Sequence, residues 1–229
     1  MLILALETST ELGSCALWRD GAVTERRCPE KRPHSETLLP LVRDLLAESG
    51  LRIDALDAIA FGVGPGAFTG LRVACGAAQG LAVVAGLPLI PVTSLETLAT
   101  AAGADRVLTL LDARMGEVYS ACYERVGADY IQRGEIRVSA PGDVALPAGA
   151  GWLACGNGLT AYPGLLDRVR AAGLAVEPGG LPSAATVATI AAAKAALGAG
   201  IDAAEAAPLY VRDKVAKTVA ERMREGGKA

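Results

Sequence analysis

The densest run of chemistry-bearing residues in this chain is GVGPGAFTGLR, Gly62 to Arg72, which leads straight into VACGAAQGLAVVAG. A glycine-rich loop between a strand-like and a helix-like run can cradle a phosphate on backbone N–H groups, or it can be a tight structural turn. A Walker loop needs Gly-x-x-x-x-Gly-Lys-Ser/Thr, and here Gly70 is followed by Leu71. The dinucleotide fingerprint needs Gly-x-Gly-x-x-Gly, and here the last glycine is displaced, as Gly64-x-Gly66-x-x-x-Gly70. Neither template fits, although the start of the following helix keeps an anion site open. Two acids stand at strand ends, Glu7 in LALETST and Asp112 in LDARMG. Turn formation is the plainer reading of Asp112. His34 is the single histidine, so several imidazoles on one metal, or a Ser-His-Asp triad without it, are impossible. Cysteines 15, 28, 75, 122 and 155 are odd in number and widely spaced, with no Cys-x-x-Cys pair. They read as buried free thiols.

The elements that position these residues follow from hydrophobic patterning. Residues 2–6 read as a central strand, 14–18 as a second and 22–26 as a third, with Asp20-Gly21 as the hairpin turn. Over residues 35–49 the apolar positions gather on one face of an amphipathic helix, with Ser35 as N-cap and Gly50 as the left-handed stop. A buried strand over 58–63, the glycine loop, a helix over 69–85 and a strand over 89–92 complete a β-β-β-α-β-α-β order. After a helix opened by Ser94, the pattern restarts with strands over 106–111 and 117–123 around an acidic turn, and a strand over 131–138. Residues 141–151 read as a loop, 152–155 as a short strand, 164–172 as a helix and 183–197 as an alanine-rich helix capped by Ser183. Two lobes are expected, residues 1–103 and 104–229, both opening with strand, acidic turn, strand. The C-terminal segment is expected to be able to pack back on the first lobe. The basic run 211–229 reads as a solvated end.

The helix behind the glycine loop is apolar on two sides. At about 100° per residue, Leu71, Ala74, Cys75, Ala78, Leu81 and Ala82 share one face, and Val73, Gly76, Ala77, Gly80 and Val84 share another nearly opposite. Only Arg72 and Gln79 interrupt it. One face can lie on a sheet, and the small residues of the other would let a second helix come close. The cover could be the helix over 35–49, a partner protein, or both, or the whole helix could be buried within its own domain.

With 52% hydrophobic but only 4% aromatic residues, the core must be built from Leu, Val, Ile and Ala at close approach, which favours α/β layering. A formal net charge of -3 leaves no broad field for autonomous nucleic-acid binding. Residues 1–7 show no cationic leader, and the apolar stretch around 81–92 is broken by Gly86, Pro88 and Pro91, so the expectation is a cytoplasmic protein without a membrane span.

The motifs LALETST, HSETLLP, GVGPGAFTGLR with AAQGLA behind it, VTSLETLA and LDARMGEVY, in this order, together with PLYVRDKVAK from Pro208, resemble the TsaB family. That family is the non-catalytic subunit of bacterial tRNA threonylcarbamoyladenosine synthesis. The resemblance implies an α/β fold of the actin, sugar-kinase and heat-shock-ATPase type, two lobes around mixed sheets. It implies a homodimer when alone, a heterodimer with a TsaD-like catalytic subunit, a TsaE-like ATPase as further partner, and tRNA only through the complex. The helices it places at the pairing face are those over 35–49 and 69–85, with Leu38, Val42, Leu45, Val73, Gly76, Ala77, Gly80 and Val84 as interface residues. Gly64, Pro65, Gly66, Thr69, Gly70 and Arg72 are then a loop that launches a helix. The catalytic paralogue holds a metal through His-x-x-x-His, whereas here Leu38 follows His34 at that spacing. No catalytic residue, metal or cofactor is expected. The alternative is a stand-alone actin-like nucleotide-binding phosphotransferase using Glu7, Asp112 or the glycines.

Overall fold

The computed structural model describes residues 1–212. Strands β1 (Leu2–Glu7), β2 (Ser14–Arg19) and β3 (Ala22–Arg27) form an antiparallel meander. Its second hairpin turns on Asp20 and Gly21, both at positive φ, as a two-residue turn between right-twisted strands requires. Helix α1 (His34–Glu48) leads to β4 (Ala58–Gly64), which pairs in parallel with β1. Helix α2 (Phe68–Ala85) leads to β5 (Leu89–Thr93), parallel to β4. The sheet order is β3-β2-β1-β4-β5. Helix α3 (Ser94–Ala102) crosses to the second lobe. There β6 (Arg106–Arg114), β7 (Glu117–Val126) and β8 (Asp129–Ser139) form another meander. Strand β9 (Trp152–Gly156) lies parallel to β6; after α4 (Gly158–Ala161) and α5 (Pro163–Ala171), β10 (Ala175–Pro178) lies parallel to β9. Helix α6 (Ala184–Ala196) follows.

The second sheet has the order β10-β9-β6-β7-β8. Each sheet therefore reads third, second, first, fourth, fifth strand of its own lobe, with the same parallel and antiparallel pairings. The duplication hinted at by two strand-turn-strand openings is a duplication of topology. Two such lobes make the two-lobed, actin-like α/β fold.

Alternation along the strands divides the first lobe's core. Leu4 and Leu6 of β1, with Ile59, Phe61 and Val63 of β4, face α1 and α2. Ile3, Ala5, Ala58 and Ala60 face the other way, onto Ala184, Val187, Ala188 and Ala191 of α6. Alanine meets alanine there, so the helix axis can approach the sheet closely. The helix that ends the second lobe thus covers the first lobe's sheet. In exchange, Leu95, Leu98 and Ala99 of α3 pack on the second sheet against Val107, Leu111 and Tyr119.

Some local expectations change. Helix α1 starts at His34 behind Pro33, whose fixed φ pre-sets the entry, and no side chain caps it. Ser35 is therefore not the N-cap. The Thr93 hydroxyl, not that of Ser94, caps α3 by accepting from the Glu96 N–H at 3.1 Å. Ser183 does cap α6, accepting from the Thr186 N–H at 3.3 Å. Strand β10 and the short α4 carry too little periodicity to be read beforehand. The remainder of the basic run, 213–229, lies outside the described residues.

Candidate functional site: the lobe junction and the outer face of helix α2

The glycine loop packs backbone to backbone on the turn after β1. The Ala67 N–H donates to the Ser9 carbonyl at 2.7 Å, and the Thr8 hydroxyl donates to the Gly70 carbonyl at 2.7 Å. A Cβ on Gly62 would run into the Glu7 carboxyl, one on Gly66 into the Ser9 backbone, and one on Gly70 into the Thr8 carbonyl oxygen. Gly64, at φ 106, carries the left-handed step before Pro65. The spacing of Gly62, Gly66 and Gly70 is set by this close approach.

Glu7 is fully buried under Gly62. Its Oε1 accepts from the Ser9 N–H at 2.5 Å, while Oε2 has no partner. Burial pushes its carboxyl above the ordinary glutamate range, more strongly than the Ser9 bonds pull it down. Asp112, at the matching turn of the second lobe, is spent locally. It accepts from the Arg114 N–H and from the Tyr162 hydroxyl, each at 2.8 Å. That is the turn-forming role, and it holds Arg114 and Met115 at positive φ. The two turns meet through the Arg114–Glu11 ion pair at 3.4 Å, and the gap between them is about 50 Å³. His34 enters α1 beside Gly13, where a Cβ would touch its ring. Among the described residues no three His, Cys, Asp or Glu side chains gather as a metal site.

Helix α2 seats Leu71, Ala74, Cys75, Ala78 and Ala82 on the sheet. Arg72 and Gln79, the two polar interruptions, hold the chain's return across the helix. Gln79 Nε2 donates to the carbonyls of Ala203 and Ala206 at 3.0 and 3.1 Å, and Arg72 Nε donates to the Tyr210 hydroxyl at 3.0 Å. The opposite face is uncovered among the described residues. Gly76, Gly80 and Val84 are exposed, Val84 by 82% and its neighbour Val83 by 71%, while Val73 and Ala77 are half-buried. A Cβ at Gly76 or Gly80 would meet nothing within 4 Å. By length and composition α2 is the one described helix apolar enough to cross a bilayer, a test that core helices also pass, and one side of it is seated in the core.

The α1 part of the expected pairing face needs correction. Leu38, Val42 and Leu45 are only 1%, 2% and 1% exposed, because the apolar stripe of α1 lies on its own sheet. From α1 the outward apolar side chains are the exposed Leu39 and the half-buried Leu41.

A family model described as TsaD: tRNA N6-adenosine threonylcarbamoyltransferase matches residues 28–151. The Escherichia coli (strain K12) tRNA threonylcarbamoyladenosine biosynthesis protein TsaB is 40% identical, over 94% of this chain and 96% of its own length. The Haemophilus influenzae protein of the same name is 45% identical over 57% of this chain and 58% of its own. A Pseudomonas aeruginosa crystal structure, of an uncharacterised protein with similarity to peptidase YeaZ, superposes with a TM-score of 0.83. It is 40% identical, over 92% of this chain and 99% of that one. Full-length similarity on these terms, with the same fold and the ordered motifs around the lobe junction, shows that the chain belongs to the TsaB family.

Proposed function

We propose that the protein is a non-catalytic partner subunit required for threonylcarbamoylation of adenosine next to the anticodon in tRNA. It docks onto a TsaD-like catalytic subunit through the outer face of α2, with a TsaE-like ATPase as a further member of the complex. Two copies pair through the same face when the catalytic subunit is absent. The observation that carries this reading is the exposed strip Gly76, Gly80 and Val84, flanked by the half-buried Val73 and Ala77, on a helix whose opposite face is seated on the sheet. Such a strip lets helix backbones approach, and exposed apolar patches of this kind mark protein contacts.

The chemistry at the lobe junction supports a non-catalytic role. Leu38, a core residue, stands where the resemblance places the second metal-binding histidine of the catalytic paralogue. The gap between the two turns is about 50 Å³, below the roughly 300–1,000 Å³ of small-ligand clefts, while a recess of about 360 Å³ beside it, lined by Thr8, Glu11, His34, Gly70 and Arg114, offers a single histidine to a metal. Asp112 is engaged by its own turn and Glu7 is sealed beneath Gly62, so neither acid is presented to a bound triphosphate.

The test is co-purification from cell extract followed by tRNA modification with the recovered pair. The pair is expected to restore modification and each protein alone to fail. Carbamoyl transfer by this chain alone, or micromolar binding of magnesium and ATP with turnover in calorimetry, would overturn the proposal in favour of the phosphotransferase reading.

A further inference from the structure

On the side of α2 away from the pairing strip, the returning chain encloses a recess of about 260 Å³. Phe68, Leu71, Tyr119, Leu209, Tyr210 and Arg212 wall it, with Arg114 beside them, and no carboxylate stands among its lining residues. Phe68 and Tyr210 remain 38% and 47% exposed, with ring centroids 5.6 Å apart. The Arg72 guanidinium lies 3.7 Å from the centroid of Phe68, one of the walls, and its hydrogen-bond partner is the neutral Tyr210 phenol; among the described residues no carboxylate pairs with it. Arg212 donates to the Ala113 carbonyl at 3.1 Å and pairs with Glu117, yet its buried Nε has no acceptor among the described residues. In sequence, Lys214, Lys217, Arg222, Arg224 and Lys228 follow Arg212, against three acids.

We propose that this recess holds one unstacked nucleotide of single-stranded RNA, its base against Tyr210 and Phe68 and its phosphate drawn to Arg72. Accessible aromatic rings beside arginines are the elements that take up splayed-out bases, because every base offers a π-face and every nucleotide a phosphate. The volume falls just short of the roughly 300–1,000 Å³ of sites for whole small ligands, which suits one base and its sugar. A duplex keeps its bases stacked and cannot enter. The inference rests on the proposed role in tRNA modification, which brings RNA to the complex, and it adds a contact made by this chain. The overall negative charge makes that contact weak by itself.

Fluorescence anisotropy at low salt tests it, with the full chain and a labelled oligouridine of about ten nucleotides. The expected result is saturable binding that weakens about fivefold or more in Arg72→Ala and in Tyr210→Ala. Arg72→Lys, which keeps the charge and loses the planar stack, should fall between. Duplex RNA of the same length and uridine monophosphate should both compete poorly. Phe68→Leu keeps the apolar packing and removes the ring, so it carries the test if Tyr210→Ala does not fold. Unchanged affinity in folded Arg72→Ala and Phe68→Leu would overturn the proposal and leave the cluster an anchor for the returning chain, seen as a lowered melting temperature alone. Competition by uridine monophosphate as strong as by the oligonucleotide would make it a free-nucleotide site, and equal competition by duplex would reduce it to charge attraction; either overturns it. Variants that lose RNA binding yet still co-purify with the catalytic subunit support it. Loss of co-purification in the wild-type protein, with RNA binding intact, would count against the partner role instead.

Discussion

The Thr8 hydroxyl donates to the Gly70 carbonyl at 2.7 Å, while a methyl group on Gly70 would overlap the Thr8 carbonyl oxygen. The turn after β1 and the first turn of α2 are therefore clasped through their backbones, and the glycine loop owes its composition to that clasp.

Gly70→Ala should destabilise the protein although alanine is the better helix former. Helix propensity favours the change by up to about 1 kcal/mol, but overpacking against a fixed backbone costs about 1–3 kcal/mol. Urea unfolding of the two proteins measures the balance. A stability equal to or above wild type would remove the clasp as the reason for the glycine.

Gly76→Ala and Gly80→Ala should do the opposite, each stabilising the monomer by up to about 1 kcal/mol, because a Cβ there meets nothing within 4 Å. Gly76→Trp or Gly80→Trp should leave the circular dichroism and melting of the monomer near wild type and abolish both self-pairing and co-purification. Light scattering after size-exclusion chromatography reads the first, pull-down the second. Normal pairing in both tryptophan variants would rule out α2 as the docking element.

The buried Glu7 predicts a pH dependence. Its folded pKa lies above its unfolded value, so at intermediate pH the folded chain holds a proton that the unfolded chain has released. Its contribution is fully present at acid pH, below the ordinary glutamate range. It is lost progressively as the pH climbs through that range to the raised folded value. Glu7→Gln keeps the shape and an oxygen for the Ser9 N–H, and it should flatten this slope in denaturant titrations from pH 4 to 8. An unchanged slope would show that Glu7 is ionised in the folded state.

The thiols should react unequally. Burial pushes Cys15 and Cys155 up to about 12, so at pH 8 almost no thiolate is present at either, and both are out of solvent. Cys122 is half-buried and should be alkylated first. Mass spectrometry of iodoacetamide-treated native protein gives the order. Early modification of Cys15 or Cys155 would mean that the helices packed over them open on the labelling timescale.

Much of the lobe architecture was legible because alternation and turn chemistry are local. Asp20-Gly21 marks its hairpin, and the apolar runs mark the strands to within a few residues. The second apolar face of α2 was legible for the same reason, since a helix apolar on both sides declares itself in period 3.6. For α1 the same reasoning misassigned Leu38, Val42 and Leu45. An apolar stripe records only that something covers it, and its own sheet and a partner helix offer the same environment.

The junction was less legible still. Thr8, Ser9 and Gly62 become structural partners of the loop only when β1 and β4 lie side by side, and the parallel pairing that puts them there joins residues more than fifty positions apart. Gln79 and Tyr210 acquire their roles only from the chain's return across α2.

By itself, the sequence determined the element types, the two strand-turn-strand openings, the absence of a second histidine and the double-sided helix, because each depends on residues close in the chain. Only the tertiary structure decided the matched strand order of the two sheets and the exchange of α3 and α6 between lobes. It also decided which face of each helix stays free and what the glycines touch. Those depend on which distant backbones come within van der Waals reach, and spacing along the chain carries no record of that distance.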